Sequence, residues 1–125
     1  MTYTYIKEDN RGGRYMKEKF IGKIVKAEFG VFDGRRTIIG LQLTFEFDSA
    51  GFVSDGGKHV VNISDEVKWD SDKQKIEAIQ NAIKHVSNVL EEAKVSYVSE
   101  LIGKAVEIEI EDQVFKSFRI LTKNT

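Results

Sequence analysis

Between residues 37 and 48 apolar and polar side chains alternate. Ile39, Leu41, Leu43, Phe45 and Phe47 fall on one face, and Gln42, Thr44 and Glu46 on the other. That two-residue period predicts a half-buried strand. A second run, residues 21–29, is rich in β-branched and aromatic side chains and stops at Gly30, so it predicts another strand. Between the two lies Gly30-Val31-Phe32-Asp33-Gly34-Arg35-Arg36, which reads as a turn. A glycine-containing stretch over residues 48–58 reads as a flexible loop, and residues 59–63 as a short third strand.

The period then changes. Ile76, Ile79, Ile83, Val86, Leu90 and Ala93 recur at spacings of three and four, which draws one apolar stripe along a helix. Ser71 followed by Gln74 supplies the capping box at its start. A short helical turn is expected around residues 97–102, with Gly103 as its stop. Val106, Ile108 and Ile110 alternate with Glu107, Glu109 and Glu111. Asp112-Gln113 turns the chain and residues 114–121 return, completing a hairpin.

The order is β-β-β-α-β-β: an α+β domain with an antiparallel sheet or an OB-like barrel of about five strands, covered by one long amphipathic helix. Residues 1–19 read as an N-terminal arm or edge strand in which Tyr3 and Tyr5 alternate with threonines before residues 9–14 break the pattern. Residues 20–125 form the domain proper.

Composition narrows the chemistry. The 125 residues hold 19 basic and 20 acidic side chains, a net charge of −1, which disfavours a coat for duplex nucleic acid. Residues 1–47 carry nine basic and six acidic side chains, residues 48–72 two and six. The chain has no cysteine and two histidines, which leaves no thiolate nucleophile and little for a metal site. No metal and no cofactor is expected. No stretch approaches membrane-spanning length and the first residues have no signal-type apolar core, so a soluble protein of the cytoplasm is expected, without a membrane partner.

Catalysis finds little support. His59 and His85 are the only candidate bases; Asp55 is placed to orient His59, but a structural role is favoured for both imidazoles. The glutamates of the last hairpin are explained as a wet strand face, and Asp65-Glu66 and Asp70-Ser71-Asp72 lack calcium-loop spacing. Binding is better supplied. Two glycine-containing loops carry Phe32, Arg35 and Arg36, and Phe52 with Lys58. Arginine forks grip phosphate, glycine lets the backbone approach it, and aromatic faces stack on bases. The competing reading packs Phe29 and Phe52 at the sheet end and leaves both arginines in solvent. Trp69 precedes the helix, as a lid on the core or a stacking platform.

The spacing from about residue 20 to 121 resembles a widespread set of small proteins of tailed phages and prophages. The resemblance rests on Gly30-Val31-Phe32-Asp33, Ile39-Gly40-Leu41-Gln42-Leu43, Gly51-Phe52, Gly103-Lys104-Ala105-Val106-Glu107-Ile108 and Ser117-Phe118-Arg119-Ile120-Leu121. Ala105 and Phe118 depart from it, standing where the set carries proline and tryptophan. By analogy with phage nucleotide sponges, the resemblance implies a non-enzymatic immune-evasion protein that sequesters a small cyclic nucleotide, as a homo-oligomer. Phe32, Arg35, Arg36, Phe52, Trp69 and Arg119 are its candidate contacts. A single-stranded nucleic-acid binder, and an inhibitor of a host defence enzyme docking through Tyr3, Tyr5 and Tyr15, are the alternatives.

Overall fold

The computed structural model describes residues 2–8, 15–32, 34–47 and 51–121, with side chains from Lys17 onward. The strands are β1 (Thr2–Glu8), β2 (Tyr15–Phe32), β3 (Arg35–Phe47), β4 (Gly51–Ser54), β5 (Val61–Asn62), β6 (Ala105–Glu111) and β7 (Val114–Ile120). They make one sheet along the path β4-β3-β2-β6-β7, with β1 added to β2 and β5 to β3. All pairings are antiparallel. Helix α1 (Asp72–Ala93) and a 3-10 turn (Val98–Leu101) lie between β5 and β6. The fold is α+β, one helix on an antiparallel sheet.

The long β2 organises the sheet. Its first half lies between β1 and β6, and its second half pairs with β3. Val25 is an extra residue between the Ile24–Phe45 and Lys26–Thr44 pairs, a bulge that adds local twist. The curl of the sheet can be read from the core. Phe45 on β3 and Phe118 on β7 stand three strand spacings apart, about 14 Å in a flat sheet, yet their ring centroids are 4.9 Å apart. Phe115 stacks on the same ring at 5.5 Å. The sheet therefore rolls around Ile24, Leu41, Leu43, Phe45, Val106 and Ile108, all buried. Its connectivity is OB-like, with the long strand shared by both halves and the helix before the last hairpin. No ladder joins β7 to β4 or β5 among the described residues, so the barrel has a seam there.

Several boundaries differ from the sequence reading. β2 begins at Tyr15, so the expected boundary at residue 20 falls inside it. Arg35 and Arg36 open β3 rather than lying in the turn. β4 occupies part of the expected 48–58 loop. Residues 9–14, expected to break the arm, lie outside the described residues, as do the side chains of Tyr3, Tyr5 and Tyr15.

The helix starts where expected: Ser71 Oγ accepts the Gln74 N–H at 3.1 Å, while Gln74 Oε1 accepts the Asp70 N–H at 2.8 Å. Its buried line is Ala82, Val89 and Ala93. Ile76 and Ile83, assigned to the stripe, are more than half exposed. Small alanines let the helix approach closely along a line rotated from the bulkier isoleucines.

Candidate functional site

The seam is built from the loop between β4 and β5. The Asp55 N–H donates to Leu43 O at 3.0 Å, which ties the loop to the edge of β3. The Asp55 carboxylate then accepts the Gly57 N–H at 3.0 Å, a side-chain-closed turn. Gly56 and Gly57 have φ of +70° and +68°, conformations that glycine adopts without strain, and Gly57 lies against the Phe32 ring. The backbone of His59 and Val60 then crosses directly over Gly40, where a Cβ would lie 2.7 Å from Val60 Cα. At the far side Lys58 Nζ donates to Lys116 O on β7 at 2.9 Å. That side-chain hydrogen bond spans the seam.

This path sets the His59 ring on the ring of His85 from α1, with centroids 3.6 Å apart and planes 21° from parallel. Burial, then the neighbouring His59 and Lys58, hold His85 down to about 4. Burial and Lys58 also lower His59, with Asp55 pulling the other way. Both imidazoles are therefore neutral at pH 7. Asp55 is itself raised above 3.8 by burial, against the stabilising N–H of Gly57, the backbone at Leu43 and the charge of His59. His85 Nε2 is buried without a hydrogen-bond partner, a situation that costs about 1–3 kcal/mol until something supplies one.

Two adjoining cavities open along the seam. One, of about 120 Å³, is lined by Asp55, Lys58, His59, Phe115 and Ser117. The other, of about 410 Å³, is lined by Asn88, Val89, Glu91 and Glu92. His85 and Phe118 line both, so the two form a continuous groove. Along the groove Lys58, Asp55 and the neutral His59 stand at one end, the His85 and Phe118 rings in the middle, and Asn88, Glu91 and Glu92 at the other; the Lys58 ammonium marks the first end off from the acidic second one. Among the described residues no group of three or more histidines and carboxylates is set to hold a metal ion, and no helix is long and apolar enough to cross a membrane.

None of the six candidate contacts lines this groove; Phe32, Arg35 and Arg36 lie together at the β2–β3 turn, and the other three stand apart from them. Phe32 is half-buried and supports the loop through Gly57, while Arg35 and Arg36 are exposed beside it at the start of β3. Phe52 is 64% exposed and pairs with Glu46, roughly 36 Å from Arg35 along the strand at about 3.3 Å per residue. Arg119 stands on the opposite face of β7 from Phe118, with its Nε 2.8 Å from Glu107 Oε1. Trp69 is half-buried ahead of α1, its Nε1 buried without a partner. The sequence reading considered His59 and Asp55 together. It did not place His85 against them, because the 25 intervening positions carry no local signal of that contact.

The chain matches no protein-family model, no curated protein and no solved structure.

Proposed function

We propose that this chain captures a small cyclic nucleotide in the seam groove and holds it unaltered, acting as a sponge in phage immune evasion. The observation that carries the reading is the polarity of the groove. A nucleotide is polarised the same way, with an anionic phosphate at one end and a flat base bearing amino groups at the other. Lys58 answers the phosphate, Phe118 and the His85 ring offer stacking faces, and Asn88 with Glu91 and Glu92 accept base N–H groups. The groove volume lies in the range of small-ligand sites, about 300–1,000 Å³. His85 Nε2 is a further polar atom for such a ligand to satisfy.

Capture is favoured over turnover by the state of the histidines. Their rings face each other, and Asp55 Oδ1 is taken up by the Gly57 N–H. The phage setting comes from the sequence resemblance.

OB-like connectivity favours a second reading, a single-stranded nucleic-acid binder using the outer face of β2 and β3, with Lys23, Lys26, Arg35 and Arg36 as a basic track. Its basic track is partly neutralised: Lys23 lies 3.9 Å from Glu46 and Lys26 lies 3.8 Å from Glu28.

Thermal unfolding against cyclic mono-, di- and trinucleotides, cyclic ADP-ribose isomers and a short oligonucleotide separates the two. A ligand at a hundred times its dissociation constant adds about 2.7 kcal/mol to the folded state. Capture predicts a raised midpoint with a cyclic nucleotide, its recovery intact, and loss of the shift in Lys58→Met. A shift with the oligonucleotide alone supports the second reading, and no shift with any cyclic nucleotide refutes the first.

A further inference from the structure

The helix end of the groove has a donor and acceptor pattern of its own. His85, Asn88 and Glu92 follow one another along α1 at spacings of three and four, so they share one face of the helix. Val89, buried between them in sequence, seats that face on the core. Asn88 and Glu92 are exposed, and both line the larger cavity with the Phe118 ring. Four residues apart on a helix, their Cβ atoms stand about 5–6 Å from each other. Among the described residues neither side chain is engaged by a hydrogen bond or an ion pair. The Asn88 amide both donates and accepts, whereas the ionised Glu92 carboxylate only accepts.

A flat base lying across this pair meets a donor at Asn88 and two acceptor oxygens at Glu92. Guanine has the complementary edge. Its O6 accepts from Asn88 Nδ2, and its adjacent N1–H and N2–H donate to the two Glu92 oxygens as a fork. Adenine and cytosine each bring one amino group to the carboxylate, with a bare ring-nitrogen lone pair beside it. Uracil brings one N–H flanked by two carbonyls. Charge sets the direction of the ligand: Glu91 and Glu92 repel a phosphate, while Lys58 and the Ser117 hydroxyl at the other end offer it donors. The base therefore comes to rest at the helix end, against Asn88 and Glu92. Resting on the capture reading above, we propose that this pair selects guanine, so that the captured ligand is a guanine-containing cyclic nucleotide. A forked contact to a base edge discriminates by roughly fivefold to a hundredfold, and solvent at these exposed side chains keeps the effect on the order of tenfold.

Isothermal titration of the full chain with cyclic GMP, cyclic IMP and cyclic AMP, and with cyclic di-GMP and cyclic di-AMP, tests the selection. The guanine ligand should bind more tightly than its adenine counterpart by on the order of tenfold. Cyclic IMP, which lacks only the 2-amino group, should fall between cyclic GMP and cyclic AMP. Glu92→Gln separates hydrogen bonding from charge. Removing a carboxylate beside an anionic ligand tightens binding if charge alone acts; loss of the fork instead weakens cyclic GMP by on the order of tenfold and leaves cyclic AMP no weaker. Glu92 is exposed on the helix, so the variant should keep its fold, which circular dichroism verifies. Equal or tighter binding of the adenine ligands, or of cyclic ADP-ribose, overturns guanine selection and leaves capture standing. So does cyclic GMP binding that Glu92→Gln leaves unchanged or strengthens. Failure of every cyclic nucleotide to bind overturns the capture reading, and the selection with it.

Discussion

Gly40→Ala is the most economical perturbation of the seam, because it adds one methyl group under the loop that carries His59. The new Cβ would lie 2.7 Å from Val60 Cα and 2.9 Å from His59 O, both backbone atoms. To reach the 3.4 Å of ordinary contact, the loop backbone must retreat by about 0.7 Å. Forcing an extra methyl into a packed site typically costs about 1–3 kcal/mol, and that is the expected loss in urea unfolding. The retreat also moves His59 off His85. The ring proton signals of both histidines should therefore shift, and the depressed pKa of His85 should rise towards its ordinary value. Gly30→Ala is the matched control on the neighbouring strand, since nothing lies within 4 Å of its Cβ; it should stay within about 0.5 kcal/mol of the parent. Equal stability of the two variants, with the histidine signals of Gly40→Ala unmoved, would refute the seating of the loop on β3.

The histidine pair also sets a pH dependence. His85 is depressed to about 4 and His59 is lowered, so below pH 6.5 the unfolded chain takes up protons that the folded chain refuses. Stability should fall as pH drops from 6.5 towards 4, and His85→Phe should flatten that slope in urea midpoints measured across the range. Asp55, raised by burial, works the other way: its share of stability grows as pH falls through its folded pKa, so Asp55→Asn should steepen the acid loss. Asp55→Ala removes the acceptor of the Gly57 N–H and should cost about 1–3 kcal/mol in urea unfolding, with Asp55→Asn restoring much of it. In the last turn Asp112 and Gln113 both have positive φ, 53° and 68°. Gln113→Gly should raise stability by about 0.5–1 kcal/mol in thermal unfolding, as relief of left-handed strain outweighs the added freedom of the unfolded chain.

Local signals carried much of the fold. The alternation from Ile39 to Phe47, the Ser71 cap and the Glu107–Glu111 face each depend on neighbours a few residues away, and each appears in the structure where the pattern placed it. What depended on distant neighbours was not legible. Gly51–Ser54 is too short to alternate convincingly, and its pairing with β3 makes it a strand. The buried face of α1 was legible in part: Val86, Leu90 and Ala93 of the stripe pack on the core, while its centre is rotated onto Ala82 and Val89 and leaves Ile76 and Ile83 more than half exposed. The candidate loops were noticed for their phenylalanines and arginines. The groove instead draws on His59, His85 and Phe118, from a loop, a helix and the last strand, which meet only because the sheet curls. Asp55 beside His59 was the one visible thread to it.

The most direct test of the central claim uses the two histidines as probes, since the chain has no others. Their ring signals would be followed by NMR during titration with the cyclic nucleotide that most raises the unfolding midpoint. Capture in the seam predicts that both signals move and saturate together, and that Lys58→Met weakens the response. Saturating binding that leaves both signals in place would put the ligand elsewhere and contradict the account.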